Sequence, residues 1–90
     1  MIIFMNINEL IAIVKKKLQK KISIENITIE DKSFLHKNHP GNKQGKFHLK
    51  ITIQSIELKS INKIDSNKRV YKALEQEMKE QIHSVQILIV

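Results

Sequence analysis

The sequence predicts an α+β domain in which helices cover one face of a three-stranded mixed sheet. Apolar residues recur at helical spacing in two segments and alternate with polar residues in others. A long helical segment separates the last two predicted strands, and such a connection joins parallel strands through a right-handed crossover. The expected order is therefore helix, strand, strand, short helix, helix, strand. At 90 residues, the chain is expected to form one domain over residues 1–90.

The first half of the chain contains a predicted helix, a strand and a long loop. Either Asn6 or Asn8 is expected to cap the helix, whose apolar positions are Ile7, Leu10, Ile11, Val14 and Leu18. The β-branched residues from Ile22 to Ile29 indicate a strand that ends near Glu30. Residues 31–46 are polar and hold the one proline and both glycines, which indicates a loop of a length that is often functional.

The second half contains the remaining elements. Residues 47–54 alternate between apolar and polar side chains, which predicts a half-buried strand antiparallel to the first. Residues 55–65 give a weak signal that fits a short helix or a turn. A helix is expected from its N-cap at Ser66 to about Gln81, with Val70, Leu74 and Met78 facing the core. Alternating residues from Val85 to Ile89 predict the third strand.

The net charge of +7 raises the question of a polyanionic partner. Of the 16 basic residues only Arg69 is an arginine, the side chain that contacts phosphate and guanine bidentately, and 4% aromatic residues leave few rings to stack on bases. The lysines from Lys15 to Lys21 are expected to oppose the negative end of the first helix dipole. The alternative is a nucleic-acid surface formed by these lysines with Lys63, Lys68 and Arg69.

Composition and motifs argue against catalysis and membrane insertion. The sequence has no cysteine and therefore supplies no disulfide, thiolate ligand or redox pair. No serine lies in a nucleophile elbow, and the glycine-bracketed residues 41–45 do not match a phosphate-binding loop. Neither a bilayer-spanning run nor the basic start of a secretory signal is present. We expect a cytoplasmic protein that is not an enzyme and does not bind membranes.

The chain path predicts that the four histidines meet at one end of the sheet. His36 and His39 lie in the long loop, His48 lies near the start of the second strand, and His83 lies near the start of the third. Because imidazole is a common metal ligand, one interpretation is a site for a borderline-soft metal. The other is ordinary hydrogen bonding, with His48 solvated on the uncovered face of the sheet. The lack of nearby cysteines and carboxylates argues against a closed zinc site.

The sequence also resembles a known family. The segments that carry the resemblance are, in order, Asp31-Lys32-Ser33-Phe34-Leu35-His36, Gly41, His48-Leu49-Lys50-Ile51, Val70-Tyr71 with Leu74, and Ile82-His83-Ser84-Val85. Together they look like the BolA family over roughly residues 22–90. The fold of that family is the class II KH-like arrangement, which agrees with the predicted order of elements.

The resemblance implies a partner rather than a reaction. BolA-like proteins pair with monothiol glutaredoxins and share a [2Fe–2S] cluster, to which a glutaredoxin cysteine and a glutathione supply thiolates. The family's ligands, one from the long loop and one near the last strand, match His36 and His83 here. His48 also matches a family histidine, with a supporting role at most. No cluster is expected in the isolated chain, which the resemblance leaves as a monomer or weak homodimer.

Two departures weaken the family's other role, transcriptional regulation through sequence-specific DNA binding. The chain has Ser66-Asn67-Lys68 where the family usually has Arg-His-Arg, and Leu58-Lys59-Ser60 where Phe-x-Gly is frequent. No glycine follows Gly45, so the GxxG clamp of RNA-binding KH domains is also missing. The expected function is therefore a cluster-sharing adaptor in iron–sulfur trafficking, iron and redox regulation or the stress response, with a lysine-dependent nucleic-acid binder as the alternative.

Overall fold

The computed structural model describes residues 6–33 and 47–90. These residues form four helices and three strands, and the predicted α+β order is confirmed, except that the predicted long helix is divided into two. In chain order the elements are α1 (Ile7–Lys21), β1 (Asn26–Asp31), β2 (Phe47–Gln54), α2 (Ile56–Lys59), α3 (Lys63–Ala73), α4 (Glu75–Glu80) and β3 (Ile82–Ile89).

β2 is the central strand of the sheet in the described part of the chain. β1 pairs with it in antiparallel orientation, and Ile29 lies opposite Ile51. β3 pairs with it in parallel orientation, and Ile87 lies opposite the same Ile51. The mixed sheet and the crossover predicted from the sequence are therefore both confirmed. A register shift between Phe47 and His48 interrupts the parallel ladder at its beginning.

The core lies between the helices and one face of this sheet. Alternate residues of β2 are buried there because successive side chains of a strand point to opposite faces. The buried apolar residues form one cluster, which consists of Leu10, Val14, Leu18, Ile22, Ile27, Leu49, Ile51, Ile53, Leu58, Val70, Leu74 and Ile82. The other face of β3 carries the exposed residues Ser84, Gln86 and Leu88. The helices therefore cover a single face, as predicted.

The start of α3 differs from the prediction. Its N-cap is Asn62, whose Oδ1 accepts the Asp65 backbone N–H at 2.8 Å and whose amide donates to the Asp65 carboxylate at 2.9 Å. Ser66 is not the cap; it is buried inside the helix, where its hydroxyl donates to the Lys63 carbonyl at 2.9 Å. These two hydrogen bonds between Asn62 and Asp65 satisfy polar groups of the first turn. The helix therefore begins before the predicted cap at Ser66.

The predicted helix to Gln81 is interrupted at Leu74. This residue leaves helical geometry (φ −107°, ψ 17°), and its N–H is shared between the Val70 carbonyl at 3.2 Å and the Tyr71 carbonyl at 3.1 Å. Its side chain stays fully buried. The short α4 that follows presents Glu77 to Lys17 of α1, and the two side chains form an ion pair.

Strand bounds also shift by a few residues. Ile22 ends α1, since its N–H donates to the Leu18 carbonyl at 2.9 Å, and β1 begins only at Asn26. β3 begins at Ile82, ahead of the alternating residues that predicted it. Among the described residues, no helix has the length and apolar character needed to cross a bilayer.

Candidate functional site

The parallel pairing of β2 and β3 places their N-terminal ends side by side. After the register shift, His48 lies opposite Ser84, and His83 precedes Ser84 on β3. Lys32 and Ser33, which follow β1, reach the same end: the Lys32 N–H donates to the His48 carbonyl at 2.7 Å, and the His48 N–H donates to Ser33 Oγ at 3.1 Å. We call this end, formed by these five residues, the histidine rim.

His48 is buried at the histidine rim, with only 3% of its surface exposed. Its Nδ1 lies 2.6 Å from Ser84 Oγ, and the tautomer of the ring decides which of the two groups donates. The expectation that His48 is solvated on the uncovered face is therefore wrong. Alternation assigns it correctly to the face opposite Leu49, but contacts with the residues after β1 and with β3 remove it from water.

His83 is exposed and lies against His48. The two ring centroids are 4.7 Å apart and the ring planes are inclined by 69°, which is an edge-to-face arrangement. The chain path thus brings together two histidines that are distant in sequence, as predicted. His36 and His39, the two loop histidines, lie outside the described residues, and the role of His36 stays a prediction.

A shallow groove of about 250 Å³ opens beside His48 on the uncovered face of the sheet. Its polar lining includes Lys32, Lys50, Ser84 and Gln86, and no carboxylate is among its lining residues. Two lysines beside an imidazole pair produce a local positive potential that suits an anionic ligand. Glu30 lies 3.5 Å from the Lys32 ammonium and offsets part of this charge.

The described residues do not complete a metal site by themselves. Within residues 6–33 and 47–90, no group of three or more histidine, aspartate or glutamate side chains is arranged to hold an ion. The exposed imidazole of His83 is a suitable iron ligand, whereas His48 is buried and uses its Nδ1 with Ser84. An iron centre at the histidine rim would therefore need ligands from outside the described residues.

Lys32, Ser33 and Ser84 are the residues of the histidine rim that were not predicted from the sequence. Neither serine has a motif of its own, and both act through the register that places them beside His48. The available signals were the position of Ser84 next to His83 in the Ile82-His83-Ser84-Val85 segment and that of Ser33 in the Asp31-Lys32-Ser33-Phe34-Leu35-His36 segment. The pairing of Ser84 with His48 requires knowledge of the parallel register.

The basic residues predicted as alternative nucleic-acid contacts lie on two helices: the lysines from Lys15 to Lys21 end α1, and Lys63, Lys68 and Arg69 lie on α3. Lys63 and Lys68 are exposed, and the Arg69 guanidinium donates to the Glu57 carboxylate at 2.5 Å. At about 100° of rotation per residue, the three positions are spread around the helix rather than gathered in one stripe. Their role as nucleic-acid contacts stays a prediction.

Comparison with known proteins agrees with this geometry. The family model described as BolA-like protein matches residues 18–90. The chain is 32% identical over 73 residues to the DNA-binding transcriptional regulator BolA of Haemophilus influenzae, a match that covers 81% of this chain and 68% of the relative. The chain therefore belongs to the BolA-like protein family.

Solved structures show the same architecture. BolA1 from Arabidopsis thaliana superposes with a TM-score of 0.71 at 27% sequence identity, covering 87% of this chain and 86% of that one. The BolA domain of SufE1 from Arabidopsis thaliana superposes with a TM-score of 0.73 at 22% identity and the same coverage, 87% and 86%. This second likeness concerns the fold alone.

Proposed function

We propose that this chain is a non-enzymatic adaptor that pairs with a monothiol glutaredoxin in the cytoplasm and shares a [2Fe–2S] cluster with it. Its processes would be iron–sulfur trafficking or iron and redox regulation. The observation that carries the proposal is the exposed His83 imidazole, held edge-to-face against buried His48 at the end of a BolA-like sheet. The choice of a monothiol glutaredoxin as the partner rests on the resemblance to BolA-like proteins. The membership of the chain in that family supports this choice.

Each residue of the histidine rim has a distinct part in this proposal. His83 is exposed, so a second protein can reach its ring, and it supplies one ligand. His36, outside the described residues, is the proposed second ligand. His48 is held by Ser84 and lies against the His83 ring, so it is a positioning residue that limits the orientations of His83.

The lysines beside the histidine rim complement the charge of such a ligand. A cluster bound by thiolates is anionic, and glutathione adds carboxylates. Lys32 and Lys50 line the groove next to His48 and place positive charge where these groups would approach. Histidine in place of thiolate at one iron raises the reduction potential of the cluster.

The proposal predicts a spectroscopic change that depends on His83. When the purified chain is mixed with cluster-loaded monothiol glutaredoxin and glutathione, we expect the visible absorption and circular dichroism to shift as a ligand is exchanged. His83→Ala should abolish the shift, because alanine cannot bind iron.

The matched control is Gln54→Ala, an exposed substitution at the other end of the central strand, which should behave as the parent chain. Far-ultraviolet circular dichroism checks that both variants fold. If His83→Ala gives the spectrum of the parent chain, His83 is not a ligand and the assignment is wrong.

A second candidate function is transcriptional regulation, and one observation favours it. The Haemophilus influenzae relative is named a DNA-binding transcriptional regulator. In this chain the contacts would come from exposed lysines such as Lys63 and Lys68. Arg69 is less suited to phosphate because its guanidinium already pairs with Glu57.

A further inference from the structure

β3 has an outer edge that faces away from its neighbour β2. In the described part of the chain β3 lies at the edge of the sheet, with β2 as its neighbour. In a parallel pair, alternate residues direct their peptide groups toward the neighbouring strand. The Val90 N–H donates to the Ile53 carbonyl at 2.8 Å, so Val85, Ile87 and Ile89 direct theirs outward.

The two halves of this outer edge differ. The Tyr71 hydroxyl on α3 lies 3.5 Å from the Val85 carbonyl oxygen and covers the N-terminal half. No hydrogen bond within residues 6–33 and 47–90 reaches the outward peptide groups of Ile87 and Ile89. β3 also contains neither a charged residue nor a proline, the features with which proteins usually prevent pairing at an edge strand.

A groove of about 290 Å³ runs along this unpaired half. One wall is β3, and the other consists of α2 with the start of α3. Its apolar lining comes from Leu58, Ile61, Ile87, Leu88 and Ile89. We call it the edge groove. An apolar groove between an edge strand and a helix is the arrangement in which extended peptides bind by strand addition, with backbone hydrogen bonds supplying affinity and side-chain pockets supplying specificity.

Two polar features of the edge groove indicate what kind of chain would enter. Lys59 and Lys63 line it, and no carboxylate is among its lining residues. The Asn67 side chain also lines it, and its Oδ1 is buried without a hydrogen-bond partner. A buried acceptor of this kind is costly unless a donor reaches it, and a peptide N–H is such a donor.

We infer that the edge groove is a docking site for an extended, acidic segment of a protein partner, which adds as a strand to the C-terminal half of β3. Backbone groups of the segment pair with Ile87 and Ile89, its carboxylates meet Lys59 and Lys63, and alternate apolar side chains enter the groove. The lining offers neither an arginine nor an aromatic ring for a nucleic acid. A second copy is disfavoured because each chain has a net charge of +7.

The edge groove is separate from the histidine rim. His83 lies near the N-terminal end of β3, whereas Ile87 and Ile89 lie toward its C-terminal end. At about 3.3 Å per residue, Ile87 and Ile89 lie about 13 and 20 Å from His83 along the strand. A partner can therefore occupy the edge groove without touching either histidine, and failure of the cluster-sharing proposal would leave this inference standing.

Binding is tested with a capped, fluorescein-labelled hexapeptide of alternating glutamate and valine. Fluorescence anisotropy should show saturable binding to the full chain. A peptide with lysine in place of glutamate should bind at least tenfold more weakly, and so should one with N-methylated backbone amides, which cannot pair with β3. Equal binding of either control peptide would overturn the inference.

Charge reversal locates the site. Lys59→Glu with Lys63→Glu should weaken binding of the acidic peptide at least tenfold. The matched control, Lys15→Glu with Lys16→Glu, makes the same change in net charge at exposed positions of α1 and should stay within twofold of the parent chain. Equal losses in the two double variants would mean that only general electrostatic attraction is present and would overturn the inference.

Hydrogen exchange gives a second measurement that needs no variant. In the chain alone, the outward amides of Ile87 and Ile89 should exchange quickly, while those of Leu88 and Val90, which face β2, exchange slowly. The acidic peptide should slow Ile87 and Ile89 at least tenfold. Three results would contradict the inference: no protection by bound peptide, protection by concentration-dependent dimerisation without peptide, or displacement of the peptide by a DNA oligonucleotide that binds the groove more tightly.

Discussion

Asn6 caps α1 through two hydrogen bonds to a single residue. Its side-chain oxygen accepts the Glu9 backbone N–H at 2.8 Å, and its amide donates to the Glu9 carboxylate at 3.0 Å. The sequence offers Asn8 as an equally suitable capping residue, but Asn8 lies inside the first turn, where it is exposed. Asn6 is the cap because its backbone is extended (φ −78°, ψ 164°), whereas Asn8 already lies within the helix.

This capping arrangement predicts that two matched substitutions change the free energy of unfolding by different amounts. Asn6→Ala should lower the free energy of unfolding by about 1 kcal/mol, because an orphan N–H of the first turn loses its acceptor. Asn8→Ala should change it by less than about 0.5 kcal/mol, since alanine is a good helix former. Urea denaturation of both variants measures the difference. Equal losses would contradict the assignment of the cap.

His48 shows how far a residue can be predicted from its sequence pattern. Alternation along residues 47–54 places it on the correct face of the sheet, and the chain path places it near His83. Its burial and its hydrogen bonds come from Ser33 and Ser84, which are 15 and 36 residues away in sequence. No local sequence pattern encodes those contacts. The arrangement of His48 that orients His83 could therefore be found only from the structure.

At the level of elements, the ones with strong periodicity were predicted well. The apolar spacing that indicated α1 and the alternation that indicated β2 correspond to real elements at nearly the predicted bounds. The long helix to Gln81 was predicted less accurately, because Leu74 continues the apolar spacing even though its backbone leaves the helix. After the break, α4 contacts β3 and pairs with α1 through Glu77 and Lys17, and these tertiary contacts leave no local pattern in the sequence.

The ion pair between α1 and α4 has a consequence for stability. Glu77 has a side chain that is 7% exposed, and its partner is the Lys17 ammonium. We expect Lys17→Met to lower the free energy of unfolding by roughly 1–3 kcal/mol, because a buried carboxylate is left without its cation. The midpoint of urea denaturation reports the loss.

The neighbouring Lys16→Met is the matched control, since Lys16 is exposed and its substitution should stay within about 0.5 kcal/mol of the parent chain. The double variant Lys17→Met with Glu77→Leu should recover most of the loss, because an apolar pair can replace a buried ion pair. A Lys17→Met variant as stable as Lys16→Met would show that the pair contributes nothing to stability.

For the whole molecule, the excess of lysine is distributed over several surfaces. Exposed lysines end α1, and others lie at separate positions around α3. Such a distribution attracts a polyanion from many directions but does not define one register on a duplex. The net charge was evident from the sequence, whereas the pairing of Arg69 with Glu57 and the spread around α3 were not.

This distribution predicts DNA binding that is weak and general. In a duplex titration followed by anisotropy, affinity should be measurable at low salt and largely lost at about 150 mM salt, because the attraction to phosphates is screened and counterion release is less favourable. Two unrelated duplexes should behave alike. Tight binding of one sequence at the higher salt would instead support transcriptional regulation.

β3 contributes residues to both the histidine rim and the edge groove. An event that displaces this strand therefore alters both sites. Local opening that detaches β3 from β2 would separate His48 from His83 and remove one wall of the groove in a single event. A molecule bound at either end therefore holds the same strand in place. By thermodynamic reciprocity, any strengthening that one occupant produces at the other site is returned by the same factor, without any contact between them.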